Sequence, residues 1–175
     1  MRYFSFNPFS LLLPVALMLP VGLVRAQSAP TTDNQKFDEM LSGLLSHPEM
    51  AVSVEQCPNP EQAVFLDARA KTEYEVSHIP TSRWVGFSAF SKKDVRDLDP
   101  SKPVVVYCSV GYRSEKITRR LKKMGFSNVR NLYGGIFAWK NQGRQVVNTQ
   151  GQPTDRVHTY NKKWGQWLFK GTKVH

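Results

Sequence analysis

A cysteine and an arginine lie on either side of a short polar segment in the middle of the chain. Cys108 follows the β-branched run at 103–107, which is typical of a buried strand, and a helical pattern begins at Glu115. A thiolate is the reactive form of cysteine, and its pKa falls at helix N-termini and near cations. The loop amides and the guanidinium of Arg113 supply both influences. The spacing therefore predicts a thiolate used for chemistry between a strand and a helix.

The segment between these two side chains is suited to bind an anion. Successive backbone N–H groups in a short loop can form an anion-binding nest, and Gly111 permits the backbone angles that such a nest needs. Arg113 carries a planar fork of donors that suits an oxyanion such as a sulfonate or a phosphate. Ligands of open α/β sheets bind beyond the carboxyl ends of the strands, where this loop is expected to lie.

The elements that must position the loop alternate along the chain. Alternating strand and helix signals imply a parallel sheet covered by helices. The strand signals lie at 51–54, 63–66, 84–86, 103–107 and 129–132, and the helical ones at 71–76, 90–98, 115–124 and 136–140. From Lys36 to Ser46 apolar residues recur at helical spacing, which predicts an amphipathic helix whose apolar side docks on the domain.

Four motifs, in this order, resemble those of the rhodanese (sulfurtransferase) family, in its single-domain form, over residues 51–143. They are Phe65–Arg69, then Glu73-Tyr74 followed by Ser77–Pro80, then the Cys108–Arg113 loop, and finally Asn131-Leu132 with Gly134–Trp139. The resemblance implies an α/β fold of three layers, in which a parallel sheet of about five strands is flanked by helices.

The same resemblance implies a two-step transfer of sulfur without a cofactor. The Cys108 thiolate attacks the outer sulfur of a small anionic donor such as thiosulfate, releases sulfite and is left as a persulfide. A thiophilic acceptor, cyanide or a thiol, then takes the sulfur, so the catalysis is covalent. In this scheme Arg113 orients the donor. Backbone N–H groups of the four intervening residues cradle the persulfide, and these residues are Ser109, Val110, Gly111 and Tyr112.

Loop length separates this interpretation from a cysteine-based phosphatase. Four residues lie between Cys108 and Arg113, whereas the dual-specificity phosphatases that resemble this fold have five, which makes a nest wide enough for phosphate. The sequence also departs from the family pattern, with Ser109 where arginine is common, Ser77 for a glycine and Thr81-Ser82 for Gly-Ala. Donor preference therefore stays open. A non-enzymatic module that binds a partner or carries sulfur is a further alternative, although the intact Cys108 argues against an inactive domain.

Other polar and aromatic residues near the motifs are expected to be structural. Asp67 and Arg69 end a strand, and an ion pair between them would hold loops in place. His78 is predicted to be a hydrogen-bonded structural histidine rather than a catalytic base. The remaining histidines have no ligand spacing, so we predict no metal. We assign Trp84 and Trp139 to the core.

The first 26 residues have the pattern of a secretory signal peptide. Arg2 precedes an apolar stretch at 11–21, and the small residues Val24 and Ala26 stand before a break, which predicts cleavage after Ala26. The stretch is short for a bilayer span, and an uncleaved membrane anchor is the competing interpretation. We therefore predict an exported protein, periplasmic or secreted.

The segments on both sides of the domain differ from it in composition. Residues 27–50 comprise a polar linker and the amphipathic helix, and residues 144–175 form a basic, aromatic extension. Trp164, Trp167 and Leu168 would share one helical face there. The extension either folds over the domain, which we favour, or contacts a membrane surface or a protein.

The net charge of +10 suits small anions, and export argues against nucleic acid as a partner. We predict a monomer.

The chain has only two cysteines, Cys57 and Cys108. An even count in an exported protein allows one disulfide, which would block the chemistry proposed for Cys108. Cys57, however, lies between an apolar strand signal and Pro58, where a small buried thiol is the favoured interpretation.

Overall fold

The computed structural model of the chain describes Met1 and residues 29–175. The signal peptide predicted at 1–26 thus lies, apart from Met1, outside the described residues. Within the described part of the chain, every helix is too short or too polar to cross a membrane.

Five short parallel strands form the central sheet. They are β1 (Ala51–Val52), β2 (Val64–Asp67), β3 (Arg83–Trp84), β4 (Val104–Tyr107) and β5 (Val129–Leu132). Their order across the sheet is β1-β5-β4-β2-β3, which places β4 in the centre. All four residues of β4 are buried, as expected for a strand that is covered on both faces. The prediction of an α/β fold with a five-stranded parallel sheet is confirmed.

Helices cover both faces of the sheet, which gives the three predicted layers. The helices of the domain are α1 (Gln35–Leu44), α2 (Lys71–Val76), α3 (Tyr112–Lys123) and α4 (Gly135–Asn141). Side chains of β4 alternate between two core clusters, because successive residues of a strand point to opposite faces. Val104 and Val106 pack in one cluster with Ile117 and Leu121 of α3. Val105 and Tyr107 pack in the other with residues of α1 and α4.

The predicted docking of α1 on the domain is confirmed. Phe37 and Leu41 are fully buried in the same cluster as Ile136 of α4. The helix begins after Asn34, whose side chain accepts a hydrogen bond of 2.9 Å from the Phe37 amide. Such a cap satisfies one of the free amides of the first turn.

Two of the predicted helices differ from the structure by three residues or more at one end. Helix α3 begins at Tyr112 rather than at 115, because Gly111 adopts a left-handed conformation and acts as its N-cap. The residues at 112–114 contribute little apolar periodicity, so the sequence pattern could not show this start. The helix predicted at 90–98 is only a 3-10 turn, Lys92–Val95, in which Asp94 accepts from the Ser91 amide at 2.7 Å.

The C-terminal extension packs on the domain through several small elements. These are the antiparallel pair β6 (Val146–Val147) and β7 (Pro153–Thr154), the parallel pair β8 (Arg156–His158) and β9 (Thr172–Val174), and the one-turn helix α5 (Lys162–Gly165). Leu168 is buried in the core cluster of α1, and Trp167 stacks on Phe37 at a centroid distance of 5.3 Å. The single helical face predicted for the aromatic residues of the extension is wrong, because α5 ends before Trp167.

Candidate functional site

Cys108 lies directly after the central strand β4, at the carboxyl edge of the sheet. Its side chain is buried, and Sγ accepts a hydrogen bond of 3.2 Å from the amide of Gly111. This contact requires the left-handed backbone of Gly111, whose φ is 110° and which an L side chain would strain. The sulfur therefore sits against the first turn of α3, as the sequence predicts.

The start of α4 holds the loop from its other side. The amides of Ile136 and Phe137 donate to the carbonyls of Cys108 at 2.9 Å and Ser109 at 3.2 Å. Because each peptide unit is planar and trans, the N–H groups of Ser109 and Val110 point away from α4. A Cβ at Gly135 would collide with the Cys108 carbonyl, so this close approach needs glycine. The loop thus has the geometry of an amide nest, and the carbonyls of Cys108 and Ser109 already accept hydrogen bonds from α4.

Arg113 forms a bidentate ion pair with Glu73, a residue that the sequence analysis did not assign to the site. Its Nη1 lies 2.7 Å from Glu73 Oε2, and its Nη2 lies 2.9 Å from Oε1. The hydroxyl of Ser109 donates to Glu73 at 3.0 Å and accepts from Arg113 at 2.9 Å. The guanidinium fork that was predicted to orient a donor is thus occupied by a carboxylate.

Glu73 itself is fixed by its place in the first turn of α2. Its side chain is 1% exposed, and Oε2 also accepts from the amide of Ala70 at 2.9 Å. Burial raises the pKa of Glu73, but the hydrogen bonds and charge of Arg113 outweigh it and hold the pKa below its usual value. The sequence offered one indication of this partner: Arg113 has no acidic residue near it in the loop, and a partly buried arginine needs an anionic partner.

The pKa of Cys108 is lowered although the residue is buried. Burial by itself raises the pKa of a thiol, whereas the charge of Arg113 and hydrogen bonds from Ser114 and Gly111 favour the thiolate. The favourable contributions exceed the cost of burial. The site therefore stabilises the reactive form of the sulfur.

Asp67 and Arg69 form a second ion pair beneath the site, and it is fully buried. Arg69 Nε donates to both carboxylate oxygens at 3.0 Å, and Nη2 donates to Asp67 and to the Ser77 carbonyl at 2.6 Å. Its Nη1 is buried and has no hydrogen-bond partner among the described residues. The pair joins the end of β2 to the segment after α2, which fits the structural role predicted for it.

His78 is engaged in local structure. Its ring stacks on Tyr74 at 3.9 Å, and Nδ1 lies 3.1 Å from the Tyr74 carbonyl. Its backbone forms a bridge with Val147 of β6. Across the described part of the chain, no cluster of three His, Cys, Asp or Glu side chains could hold a metal ion.

The predicted alternative of a disulfide is not formed, because both cysteines are free thiols. Cys57 is 7% exposed and belongs to the core cluster on the α1 face. Burial raises its pKa to about 12, with only a small opposing effect from Arg144. Cys57 is therefore a structural thiol without the thiolate stabilisation found at Cys108.

A cavity of about 640 Å³ opens at Cys108. Its walls are formed by the loop after β4, by the segment after β3 and by the C-terminal extension. The loop contributes Cys108, Ser109, Val110, Tyr112 and Arg113, β3 contributes Trp84 and the segment after it contributes residues 85–89, the extension contributes Tyr160 and Trp164, and Arg69 and Ala70 complete the lining.

Of the aromatic residues in this cavity, Trp84 contradicts its prediction and Tyr160 was not predicted to be there. Trp84 is not a core residue: it is 37% exposed and lines the cavity, because β3 is an edge strand and its indole Nε1 donates to the Arg69 carbonyl at 2.9 Å. Trp139 is buried, as predicted. Tyr160, which no sequence motif indicated, lies with its ring 5.7 Å from the Arg113 guanidinium.

Comparison with known proteins assigns the central part of the chain to a described family. Residues 51–142 match the family called Rhodanese-like domain. The adenylyltransferase and sulfurtransferase uba4 of Ogataea parapolymorpha is 31% identical over 91 residues, 52% of this chain and 23% of that protein. The tRNA uridine(34) hydroxylase of Yersinia enterocolitica is 30% identical over 151 residues, 82% of this chain and 41% of that protein. The chain thus spans less than half the length of these relatives.

A solved structure with similar architecture is that of the thiosulfate sulfurtransferase from Pseudomonas aeruginosa. It aligns with a TM-score of 0.52 and 27% identity, and the alignment covers 73% of this chain and 26% of that one. The likeness extends beyond the matched family region.

Proposed function

Because the chain belongs to the rhodanese-like family, we propose that it is an exported sulfurtransferase that works through a persulfide on Cys108. The observation that carries the proposal is the buried Cys108, whose pKa is lowered and whose sulfur lies in an amide nest beside a cavity. A nucleophilic cysteine needs a stabilised thiolate and access to its substrate, and this site supplies both.

The proposed reaction has two balanced half-reactions. In the first, the Cys108 thiolate attacks the outer sulfur of thiosulfate, the S–S bond of the donor breaks, and sulfite leaves with its electron pair. In the second, cyanide or a thiolate attacks the outer sulfur of the persulfide, and the Cys108 thiolate is restored as the leaving group. The Ser109, Val110 and Gly111 amides stabilise the negative charge of the persulfide. No proton has to be transferred by a side chain, and His78 is not among the residues that line the cavity.

The decisive experiment is mass spectrometry of the protein after exposure to thiosulfate. We expect the mass to increase by one sulfur atom, and cyanide to remove that sulfur as thiocyanate. Cys108→Ser should abolish the addition, while Cys57→Ser, the matched control at the other cysteine, should retain it. Addition of sulfur to Cys108→Ser, or no addition to the wild-type protein with any sulfane donor, would count against the proposal. The second result would favour a binding module without turnover.

The length of the loop supports sulfur over phosphorus chemistry. Only four residues lie between Cys108 and Arg113, so the amide nest is narrower than a phosphate dianion needs, and the fork of Arg113 is held by Glu73. We therefore expect no Cys108-dependent hydrolysis of an aryl phosphate.

We also propose that the protein is exported, because residues 1–26 have the pattern of a signal peptide. Cleavage after Ala26 leaves Gln27 as the new N-terminus. N-terminal sequencing of the protein isolated from outside the cytoplasm tests this directly, and an intact Met1 would favour the membrane anchor instead.

A further inference from the structure

The C-terminal extension completes the wall of the cavity in front of Cys108. Tyr160 and Trp164 line this cavity together with Trp84, Phe87 and Tyr112, so five aromatic residues line the cavity at the sulfur. Two of the five, Tyr160 and Trp164, come from a segment outside the region 51–142 that matches the family. The region that matches the family therefore supplies only part of the cavity wall, and the extension supplies the rest.

The backbone of the extension holds Tyr160 in an unusual conformation. Its φ is 63°, in the left-handed region that a bulky L residue rarely adopts. The turn is held by a hydrogen bond of 3.0 Å from the Tyr160 amide to His158 Nδ1, and Asn161 donates to the Thr159 carbonyl at 2.7 Å. Strain of this kind persists where surrounding contacts enforce it, and it clusters at functional sites. Here it directs the ring over Arg113.

Both arginines that line the cavity are paired with carboxylates, Arg113 with Glu73 and Arg69 with Asp67. These carboxylates weaken the attraction of a dianion to the cavity, and the charge of Arg113 already acts on the Cys108 thiolate. The Cys108 thiolate adds a negative charge and repels a doubly charged donor more strongly than a singly charged one. The nearby lysines are engaged with aromatic rings, Lys71 with Trp84 at 4.8 Å and Lys116 with Tyr112 at 4.1 Å, and neither lines the cavity.

The size of the cavity also exceeds what thiosulfate needs. Cavities of about 300–1,000 Å³ with apolar and aromatic walls typically enclose drug-sized ligands. The cavity at Cys108, at about 640 Å³, lies within this range, whereas thiosulfate has only a few non-hydrogen atoms and no apolar part.

On the basis of the proposed function, we propose that the extension selects an organic sulfur donor, and that Tyr160 and Trp164 are specificity-determining residues for it. The donor class is an organic thiosulfonate. In such an anion the outer sulfur is attached to a sulfonyl group, the net charge is −1, and the sulfonyl group carries an apolar body. The thiolate of Cys108 attacks the outer sulfur, the S–S bond breaks, and the sulfinate leaves with the electron pair. The apolar body packs between the aromatic walls while the outer sulfur lies in the amide nest.

Two donors with the same reacting group but different apolar bodies show whether the body affects the rate of sulfur transfer. Benzenethiosulfonate and methanethiosulfonate each carry one charge and differ in the apolar part. We measure the rate of persulfide formation on Cys108 with each donor, without an acceptor, so that only the first half-reaction is observed. The wild-type protein should react with the benzene compound at least about tenfold more efficiently than with the methane compound, as the burial of an aromatic ring predicts.

The variant Tyr160→Asn removes the ring at a position where asparagine tolerates the left-handed backbone, so folding is preserved. It should reduce the preference for the benzene compound severalfold. Phe169→Ala, an exposed aromatic of the same extension that does not line the cavity, is the matched control and should keep the wild-type preference. Trp164→Leu is the second test and should lower the preference as Tyr160→Asn does.

The outcomes distinguish this inference from the proposed function. An equal preference in the wild-type protein and in both cavity variants would overturn the inference, even if thiosulfate forms the persulfide normally. A wild-type protein that forms no persulfide with any of the three donors would overturn the proposed function and this inference with it. A lost preference in Phe169→Ala would show that the extension acts through general packing, and would likewise overturn the assignment to Tyr160.

Discussion

At the scale of single residues, the two cysteines of this chain show what the loop does for a thiol. Both are buried, and burial raises the pKa of each. At Cys57 the charge of Arg144 opposes burial but does not outweigh it, and the pKa of Cys57 rises to about 12. At Cys108 the charge of Arg113 and hydrogen bonds from Ser114 and Gly111 outweigh the cost of burial. Reactivity therefore comes from the surroundings of the sulfur rather than from its exposure.

The variant Arg113→Gln should raise the pKa of Cys108, because it removes the main favourable charge and leaves the Glu73 carboxylate uncompensated nearby. As the pH falls, the thiolate of the variant is then lost at higher pH than in the wild-type protein. Below both pKa values, alkylation by iodoacetamide should slow about tenfold for each unit of increase. The pH profile is measured in a Cys57→Ser background.

The matched control for that measurement is Arg119→Gln, on the exposed side of the same helix. Arg119→Gln should leave the pH dependence of the alkylation rate unchanged. If Arg113→Gln also leaves it in place, the charge of Arg113 does not stabilise the thiolate, and the assignment of its role is wrong.

At the scale of elements, the reactive loop is held between two helix starts. Helix α3 begins at Tyr112 and directs the Gly111 amide at the sulfur, and α4 binds the loop carbonyls through its first amides. Asn131, at the end of β5, also donates to the Gly111 carbonyl at 3.1 Å. Strand, loop and both helices are therefore needed to orient the amide nest.

Gly135→Ala should disrupt this arrangement, because the added Cβ would collide with the Cys108 carbonyl and with Ser109. Gly143→Ala is the matched control: it also has a positive φ, of 78°, but no atom lies within 4 Å of the added Cβ. In the control, the free energy of unfolding should fall only by the cost of placing an L residue in a left-handed backbone, about 1–2 kcal/mol. Gly135→Ala should lose more than that and should form persulfide more slowly, as measured by urea unfolding and mass spectrometry. Equal effects of the two substitutions would contradict the close approach of α4.

At the scale of the whole molecule, the C-terminal extension contributes both to the core and to the site. Leu168 is 1% exposed and packs with Phe37 and other residues of the α1 face. Asn141, in α4, accepts from the Phe169 amide at 2.7 Å and donates to the Trp167 carbonyl at 2.9 Å. The extension is thus joined to α1 and α4, the latter being the helix that holds the reactive loop.

Leu168→Ala should lower the free energy of unfolding by about 2–5 kcal/mol, the usual cost of a cavity in a well-packed core. The measurement is urea unfolding followed by tryptophan fluorescence, and Lys170→Ala, at an exposed neighbouring position, should change the stability by less than about 0.5 kcal/mol. A Leu168→Ala protein as stable as the wild type would mean that the extension is not part of the core in solution.

The sequence by itself determined the fold and the position of the reactive cysteine, because both depend on local patterns. The alternation of strand and helix signals predicts the sheet, and the β-branched run before Cys108 places this residue at a strand end. The tertiary structure alone decided which side chains surround the sulfur. Glu73 meets Arg113 across 40 residues of sequence, and Tyr160 reaches the loop from the extension. Such contacts depend on how the chain packs, and no local periodicity encodes them.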